Sequence, residues 1–272
     1  MSQTLLKIEN LQKSYTRDKL ILKGIDVTFD RGEFVVVIGP SGAGKSTFIR
    51  CINRMIDPSG GEIYFNGEKT SHLKGKGLRD IRSQIGMIFQ HHNLVSRTNV
   101  IRNVLHGKLG QMPAWKSLLG LYSEADKREA VELLKSVGLS EQMYQRADAL
   151  SGGQMQRAGI CRAMLQHPKL LLADEPIASL DPKSARTVMN HLHQITAENG
   201  LTCIVNLHQV DFARQYASRI IGIKDGVIVF DDVPEMLTEG TVSAIYEGKE
   251  EQMKTRNTVV TDNKFVFEAE VV

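Results

Sequence analysis

The run Gly39-Pro40-Ser41-Gly42-Ala43-Gly44-Lys45-Ser46 fits the pattern G-x-x-x-x-G-K-[ST], whose chemistry is the capture of phosphate oxygens. Its glycines let backbone N–H groups turn toward an anion, and a helix beginning at its end adds partial positive charge. Lys45 can then reach the outer phosphates, while the Ser46 hydroxyl can ligate Mg²⁺. Downstream, Leu170-Leu171-Leu172-Ala173-Asp174-Glu175 is an apolar run closed by two acids. Carboxylates at the end of a buried strand are costly unless they face a metal or a water-filled site. With a phosphate cradle upstream, Asp174 becomes a candidate to hold Mg²⁺ and Glu175 a candidate general base for an attacking water. Between these motifs, Leu150-Ser151-Gly152-Gly153-Gln154 precedes a helix that starts near Met155. Small residues at a helix N-terminus make a second anion-binding surface.

The elements that must position these residues are legible from apolar periodicity. Lys7 to Leu11, Ile25 to Phe29 and Phe34 to Ile38 read as strands, the last apolar without alternation and therefore buried on both faces. Ser46 to Met55 reads as a helix, and Glu62 to Asn66 and Ile85 to Phe89 as further strands. From about residue 91 to 165 the pattern turns helical, with Ala130, Leu133, Leu134 and Val137 on one apolar face. Strands resume at Leu170 to Ala173 and Leu201 to Asn206, around a helix carrying Val188, Leu192 and Ile195. Arg219 to Lys224 and Val227 to Phe230, separated by Asp225-Gly226, read as a tight hairpin. The alternation predicts an α/β core with a helical lobe inserted at its side, and no internal repeat is present.

Composition narrows the function classes. The chain has 272 residues, 42% hydrophobic and 24% charged, enough for a globular core and against wholesale disorder. A net charge of +3 gives no ground for a nucleic-acid partner and permits, without requiring, contact with an anionic membrane surface. Cys51, Cys161 and Cys203 are odd in number and lack C-x-x-C spacing, so reduced, buried thiols are expected. No stretch approaches the ~18 apolar residues of a membrane span. The first residues reach Lys7 and Glu9 before any apolar core of a signal peptide forms.

Leu150 to Gln154, taken in order with the cradle and the acidic pair, resembles the signature motif of the ABC ATPases. The resemblance covers roughly residues 5 to 247. It implies a P-loop ATPase core, a RecA-like sheet with an antiparallel β subdomain and the helical lobe, spanning residues 1–248. The implied cofactors are ATP and Mg²⁺. Position by position, Gly39, Pro40, Ser41, Gly42, Ala43, Gly44, Lys45, Ser46 and Thr47 would hold the nucleotide. Gln90 resembles the glutamine that contacts Mg²⁺ and the attacking water and adjoins the membrane partner. His208 resembles the switch histidine at the γ-phosphate. Tyr15 lies where the family places an aromatic that stacks on adenine. Ser179-Leu180-Asp181 resembles the loop that crosses to the other subunit, and Ser151, Gly152, Gly153 and Gln154 would close on ATP held there. One departure is Ile177 after Pro176, where many relatives carry threonine; no phosphate contact is assigned to that position.

The resemblance further implies a homodimer of ATPase subunits on the cytoplasmic face of the inner membrane. Its partners would be integral permease subunits and, indirectly, an extracytoplasmic phosphonate-binding protein. The stretches Asn103 to Gly110, Trp115 to Gly120, Ala173 to Ser179 and Leu207 to Asp211 are similar to ATPases of phosphonate importers. Importers of phosphite, phosphate or another small polar solute remain alternatives for the cargo. A soluble ABC ATPase acting on DNA or ribosomes would carry tandem units or a coiled-coil insertion. A small-molecule P-loop kinase would lack Leu150 to Gln154, and an exporter half would carry membrane spans. After Gly248 the resemblance ends. Lys249 to Asn263 is polar and expected to be mobile, and Phe267, Ala269 and Val271 alternate with acids in a way open to one added strand or a disordered extension.

Overall fold

A computed structural model of the protein describes residues 3–16, 19–90 and 93–247. The tail expectations, from residue 248 onward, lie outside the described residues, as do His91 and His92.

Two sheets form. The smaller one is antiparallel, in the order β2 (Lys19–Asp30), β1 (Thr4–Thr16), β4 (Gly60–Phe65) and the two-residue β5 (Glu68–Lys69). The larger contains β3 (Phe34–Ile38), β6 (Ile85–Ile88), β7 (Leu170–Asp174), β8 (Thr202–Asn206), β9 (Arg219–Lys224) and β10 (Val227–Asp232). Its order is β10-β9-β3-β8-β7-β6, parallel except for β10 at one edge. The turn between β9 and β10 is Asp225-Gly226, with φ of 49° and 83°, the left-handed pair that a tight hairpin matching strand twist requires.

Every residue of β3 is buried, and the period of two divides it between two cores. Val35 and Val37 face Leu6, Ile8 and Phe29 of the antiparallel sheet together with Phe48 and Ile49 of α1 (Lys45–Ile52). Val36 and Ile38 share the opposite core with Ile160, Val188 and Leu192. A strand covered on both faces must be apolar at every position, which explains its missing alternation.

The helices are α1, α2 (Gly75–Arg82), α3 (Val100–Leu105), α4 (Ala114–Leu119), α5 (Glu124–Ser136), α6 (Gly152–Met164), α7 (Pro182–Glu198), α8 (Val210–Tyr216) and α9 (Glu239–Tyr246). On α5, Ala130 and Leu134 are buried, Leu133 packs at the edge of the same core, and Val137 caps the helix end, also buried. Helix α1 is shorter than its apolar pattern suggests. It stops at Ile52, Asn53 closes the last turn, and Arg54 swings to a φ of 57°. The buried Arg54 guanidinium donates to Asp57 Oδ1 at 2.9 Å and to the Thr70 carbonyl, contacts that a continued helix would forfeit. In the other direction, β1 runs well beyond Lys7 to Leu11. Its polar end, Gln12 to Thr16, pairs with Lys19 to Lys23, so backbone ladder bonds rather than apolar burial extend it. Cys51, Cys161 and Cys203 are free and buried, and burial pushes the Cys51 thiol up to about 11.

Candidate functional site

The parallel sheet delivers its strand ends to one edge, and the loops after β3, β7 and β8 meet there. Gly39 to Gly44 link β3 to α1 with Gly39 at φ 147° and Gly44 at φ 108°. Any side chain at Gly39 would bring its Cβ to 2.0 Å from the Ile223 carbonyl oxygen of β9, so the loop can pass there only as glycine. Lys45 is almost completely buried, and its ammonium donates to the Gly39 carbonyl at 2.7 Å and the Pro40 carbonyl at 3.1 Å. The cradle thus holds its own cation in place.

Strand register decides the rest. Asn206 on β8 sits opposite Val37 on β3 and opposite Asp174 on β7, between the strand that leads to the cradle and the strand that ends in Asp174. Asp174 is 3% exposed. Its Oδ2 accepts from Arg50 of α1, Nε at 3.2 Å and Nη2 at 3.0 Å, and its Oδ1 accepts from Asn206 Nδ2 at 2.9 Å. The same Asn206 Nδ2 approaches Ser46 Oγ at 3.3 Å. Glu175 follows at a φ of 51°, unusual for a side-chain-bearing residue and costing on the order of 1–3 kcal/mol. Its N–H is tied to the Asn206 carbonyl at 3.2 Å, and the turn aims its carboxylate at His208, Oε1 to Nε2 2.7 Å.

Tyr15, Ile21, Ser41, Gly42, Gly44, Lys45, Ser46, Thr47, Glu175 and His208 line one cleft of about 320 Å³. Tyr15 is 59% exposed at its mouth, with its hydroxyl 3.4 Å from Thr47 Oγ1. Cradle, exposed aromatic, carboxylate and histidine therefore converge within one chain.

The signature residues do not join them. Ser151 caps α6 in a reciprocal box: its hydroxyl accepts from Gln154 N–H at 3.3 Å, and Gln154 Oε1 accepts from Ser151 N–H at 2.8 Å. Gly152 and Gly153 lie against Leu180 and Ser184, with room for no larger residue without displacement. Asp181 caps α7 beside them, accepting from the N–H groups of Lys183 at 3.1 Å and Ser184 at 3.0 Å. Hydrogen bonds from Ser184 hold the Asp181 carboxyl below the usual carboxylate range. None of these residues lines the cleft of its own chain.

Gln90 follows β6, partly buried, and also lies outside that cleft. Its neighbour Phe89 receives a hydrogen bond on its carbonyl from Gln156 of α6 at 3.4 Å and lines a different groove of about 370 Å³. Arg82, Met87, Asn93, His106 and Arg162 contribute to that groove. Burial and the nearby Arg162 and Arg102 charges lower the His106 pKa.

The family model for ABC transporters matches residues 22–178. Among curated proteins, the Phosphonates import ATP-binding protein PhnC 2 of Oceanobacillus iheyensis is 50% identical over 252 residues, spanning 93% of this chain and 99% of its own length. The protein of that name from Halalkalibacterium halodurans is 51% identical over 243 residues, spanning 89% and 100%.

This chain belongs to the ABC transporter family.

Solved members agree in fold. A dimeric ATP-binding cassette in a post-hydrolysis state bound to ADP and Pi superposes with a TM-score of 0.73 at 33% identity, covering 85% of this chain and 99% of that one. The ADP conformation of another ATP-binding cassette gives 0.77 at 26% identity, covering 93% and 99%. Nucleotide binding follows from membership.

Three residues near the cleft escape sequence reasoning: Arg50, Asn206 and Tyr246. Tyr246 on α9 accepts from Gly39 N–H at 3.3 Å and donates to the His208 carbonyl at 3.2 Å, joining the cradle to the histidine loop. Burial raises its pKa. Only Asn206 had a sequence signal, an amide ending the otherwise apolar run Cys203-Ile204-Val205.

The donors at the cleft fit a hard cation. Ser46 and Asp174 supply hydroxyl and carboxylate oxygens, and the buried Asn206 Oδ1 has no hydrogen-bond partner. Among the described residues no group of three His, Cys, Asp or Glu is assembled to hold a metal unaided. Mg²⁺ binds through one or two protein ligands together with substrate phosphates and water, and the Ser46 hydroxyl beside the Asp174 carboxylate is a set of that size.

Proposed function

We propose that the chain is the ATP-hydrolysing subunit of a phosphonate importer, working as a pair at the cytoplasmic face of the inner membrane beneath a separate permease. The observation that carries the chemistry is the single cleft that gathers Lys45, Ser46, Glu175 and His208. The cargo rests on the extensive identity to the phosphonate import ATP-binding proteins.

In this reading the loop from Gly39 to Ser46, with Lys45 and Thr47, holds the phosphates of ATP, and Tyr15 stacks on adenine. Ser46, Asp174 and Gln90 would hold Mg²⁺, which supplies neutralising charge to the phosphate oxygens when bound. Glu175 takes the proton of the attacking water, and His208 orients the γ-phosphate side of the site. A positioned base is typically worth about 10²–10⁴-fold in rate, or roughly 3–5 kcal/mol of barrier.

The cleft leaves one flank open, and the α6 N-terminus supplies a surface to cover it from a second copy. Ser151, Gly152, Gly153 and Gln154, with Asp181 of the adjoining loop, would close head to tail on the partner's ATP. ATP binding then favours the closed pair and hydrolysis the open one, and that shift is the work delivered to the permease.

Docking of the permease is assigned to the groove at Phe89 and Asn93, next to Gln90. Trp115, Leu118 and Leu119 of the nearby lobe are 58%, 87% and 65% exposed, apolar surface suited to a partner. No helix among the described residues is long and apolar enough to cross a membrane, in keeping with a separate permease.

The test is growth. Deleting the gene should abolish growth on an alkylphosphonate as sole phosphorus source and spare growth on phosphate. Normal alkylphosphonate growth, with no second ATPase to substitute, overturns the cargo but leaves ATP hydrolysis by the purified chain to be judged separately.

A further inference from the structure

We infer that Asn206 is a positioning residue for Mg²⁺, a role that rests on the reading of Ser46 and Asp174 as the magnesium site. The position is buried: Asn206 is 0% exposed and follows three buried apolar residues on β8. An aliphatic side chain is the ordinary occupant of such a place, because a buried amide must find partners for both its ends.

The nitrogen end has found them. Asn206 Nδ2 donates to Asp174 Oδ1 at 2.9 Å and approaches Ser46 Oγ at 3.3 Å, so one NH₂ group spans two oxygens, one from the end of β7 and one from the first turn of α1. Register sets the Asp174 contact, since Asn206 pairs with it across β7–β8, and the packing of α1 on β7 and β8 brings Ser46 to the same amide. From the far side, Arg50 engages Asp174 Oδ2. The carboxylate is thereby held at both oxygens. An oxygen of a carboxylate retains a second lone pair, so Oδ1 can still accept.

The oxygen end has no partner. Asn206 Oδ1 and Glu62 Oε2 are the two side-chain atoms, among the described residues, that are buried without a hydrogen bond. Glu62 lies on β4, in the antiparallel sheet, where it pairs with Lys69 through its other oxygen. Asn206 Oδ1 instead belongs to an amide already bound to both candidate ligands. Mg²⁺ dehydrates reluctantly, and the waters it keeps are hydrogen-bond donors in need of acceptors. An unpartnered amide oxygen beside Ser46 and Asp174 is such an acceptor. Asn206 therefore acts in two ways: its NH₂ sets the spacing of the ligands, and its carbonyl receives a water of the hydrated ion. Residues that orient metal ligands in this way typically change metal affinity 10- to 100-fold when replaced.

The experiment separates metal from nucleotide. The non-hydrolysable analogue AMP-PNP is titrated calorimetrically into the full chain in EDTA and again across a Mg²⁺ series. Asn206→Leu should leave the affinity in EDTA within about twofold and raise the Mg²⁺ midpoint at least about 10-fold. Ser46→Ala and Asp174→Asn run alongside and should raise it too. If they do and Asn206→Leu does not, the role of Asn206 is overturned and the site reading stands. If none of the three moves the midpoint, the site reading fails and takes this inference with it. Equal weakening in EDTA and in Mg²⁺ would assign Asn206 to the nucleotide or the fold, which also overturns it. Should Asn206→Leu not fold, judged by thermal unfolding without ligand, Asn206→Ser is read against the same outcomes.

Discussion

Two regions of this molecule are read as anion sites, and they are built differently. Around Lys45, the loops that leave neighbouring parallel strands and the first turn of α1 supply the groups, and pairing register brings Val37, Asn206 and Asp174 abreast. Around Ser151, the groups come from helix N-termini, α6 and α7, each capped by its own first residues. Strand ends converge because hydrogen-bonded neighbours are only about 5 Å apart, so side chains of different segments meet inside one chain. Helix N-termini point their N–H groups along the axis and outward, so such a surface is completed by whatever approaches it. Folding assembles the first region within one chain, whereas the second, in the proposed reading, acts on the open flank of another copy's cleft.

The largest expected effect is at Glu175, the proposed base of the first region. Glu175→Gln keeps size and the left-handed turn but removes the proton acceptor, so phosphate release should fall at least about 100-fold with nucleotide binding retained. Nucleotide-bound dimers should accumulate on a sizing column. Near-normal turnover would break the assignment of the first region.

The comparison itself is sharpened by mixing chains. With Glu175→Gln in both, Lys45→Ala subunits are combined with Ser151→Arg subunits. A site shared between copies leaves one composite site with cradle and signature intact and another with both damaged, so one ATP should be trapped per heterodimer. Complete sites within each chain would predict none. Zero trapped nucleotide in verified heterodimers argues that the second region does not act on a neighbour.

The smallest effect concerns the strut between cradle and histidine loop. Tyr246→Phe removes the hydroxyl that bridges Gly39 N–H and the His208 carbonyl. Losing it should lower stability by about 1–3 kcal/mol in chemical denaturation. The apparent KM for ATP should rise more than kcat falls, because Gly39 belongs to the binding loop and Glu175 is untouched. Unchanged unfolding and kinetics would mean that α9 is not coupled to the cleft.

Much of this was readable in the residues. Phe34 to Ile38, Leu170 to Ala173 and Leu201 to Asn206 announce buried parallel strands, and Asp225-Gly226 announces the hairpin, because burial and positive φ restrict residue type directly. Element ends were less legible. The last turn expected of α1 is lost to Arg54, whose contacts with Asp57 and Thr70 come from later in the chain. Helices α8 and α9 are short, and their pattern is too brief to register a period.

For the chemistry the division is similar. Sequence alone singled out the residues proposed to bind phosphate and accept a proton, since G-x-x-x-x-G-K-[ST] and a strand closed by Asp174-Glu175 are constraints of backbone conformation and charge burial that act locally. It could not determine that Asn206 bridges Ser46 and Asp174, that Arg50 holds the far oxygen, or that Tyr246 spans two loops. Those contacts join positions separated by 32 to 207 residues. The order of strands in the sheet, with β8 between β3 and β7, and the packing of α1 and α9 on that sheet bring them within hydrogen-bonding distance. Pairing of that kind is decided by how two cores pack on opposite faces of one sheet, a property of the assembled chain and of no segment within it.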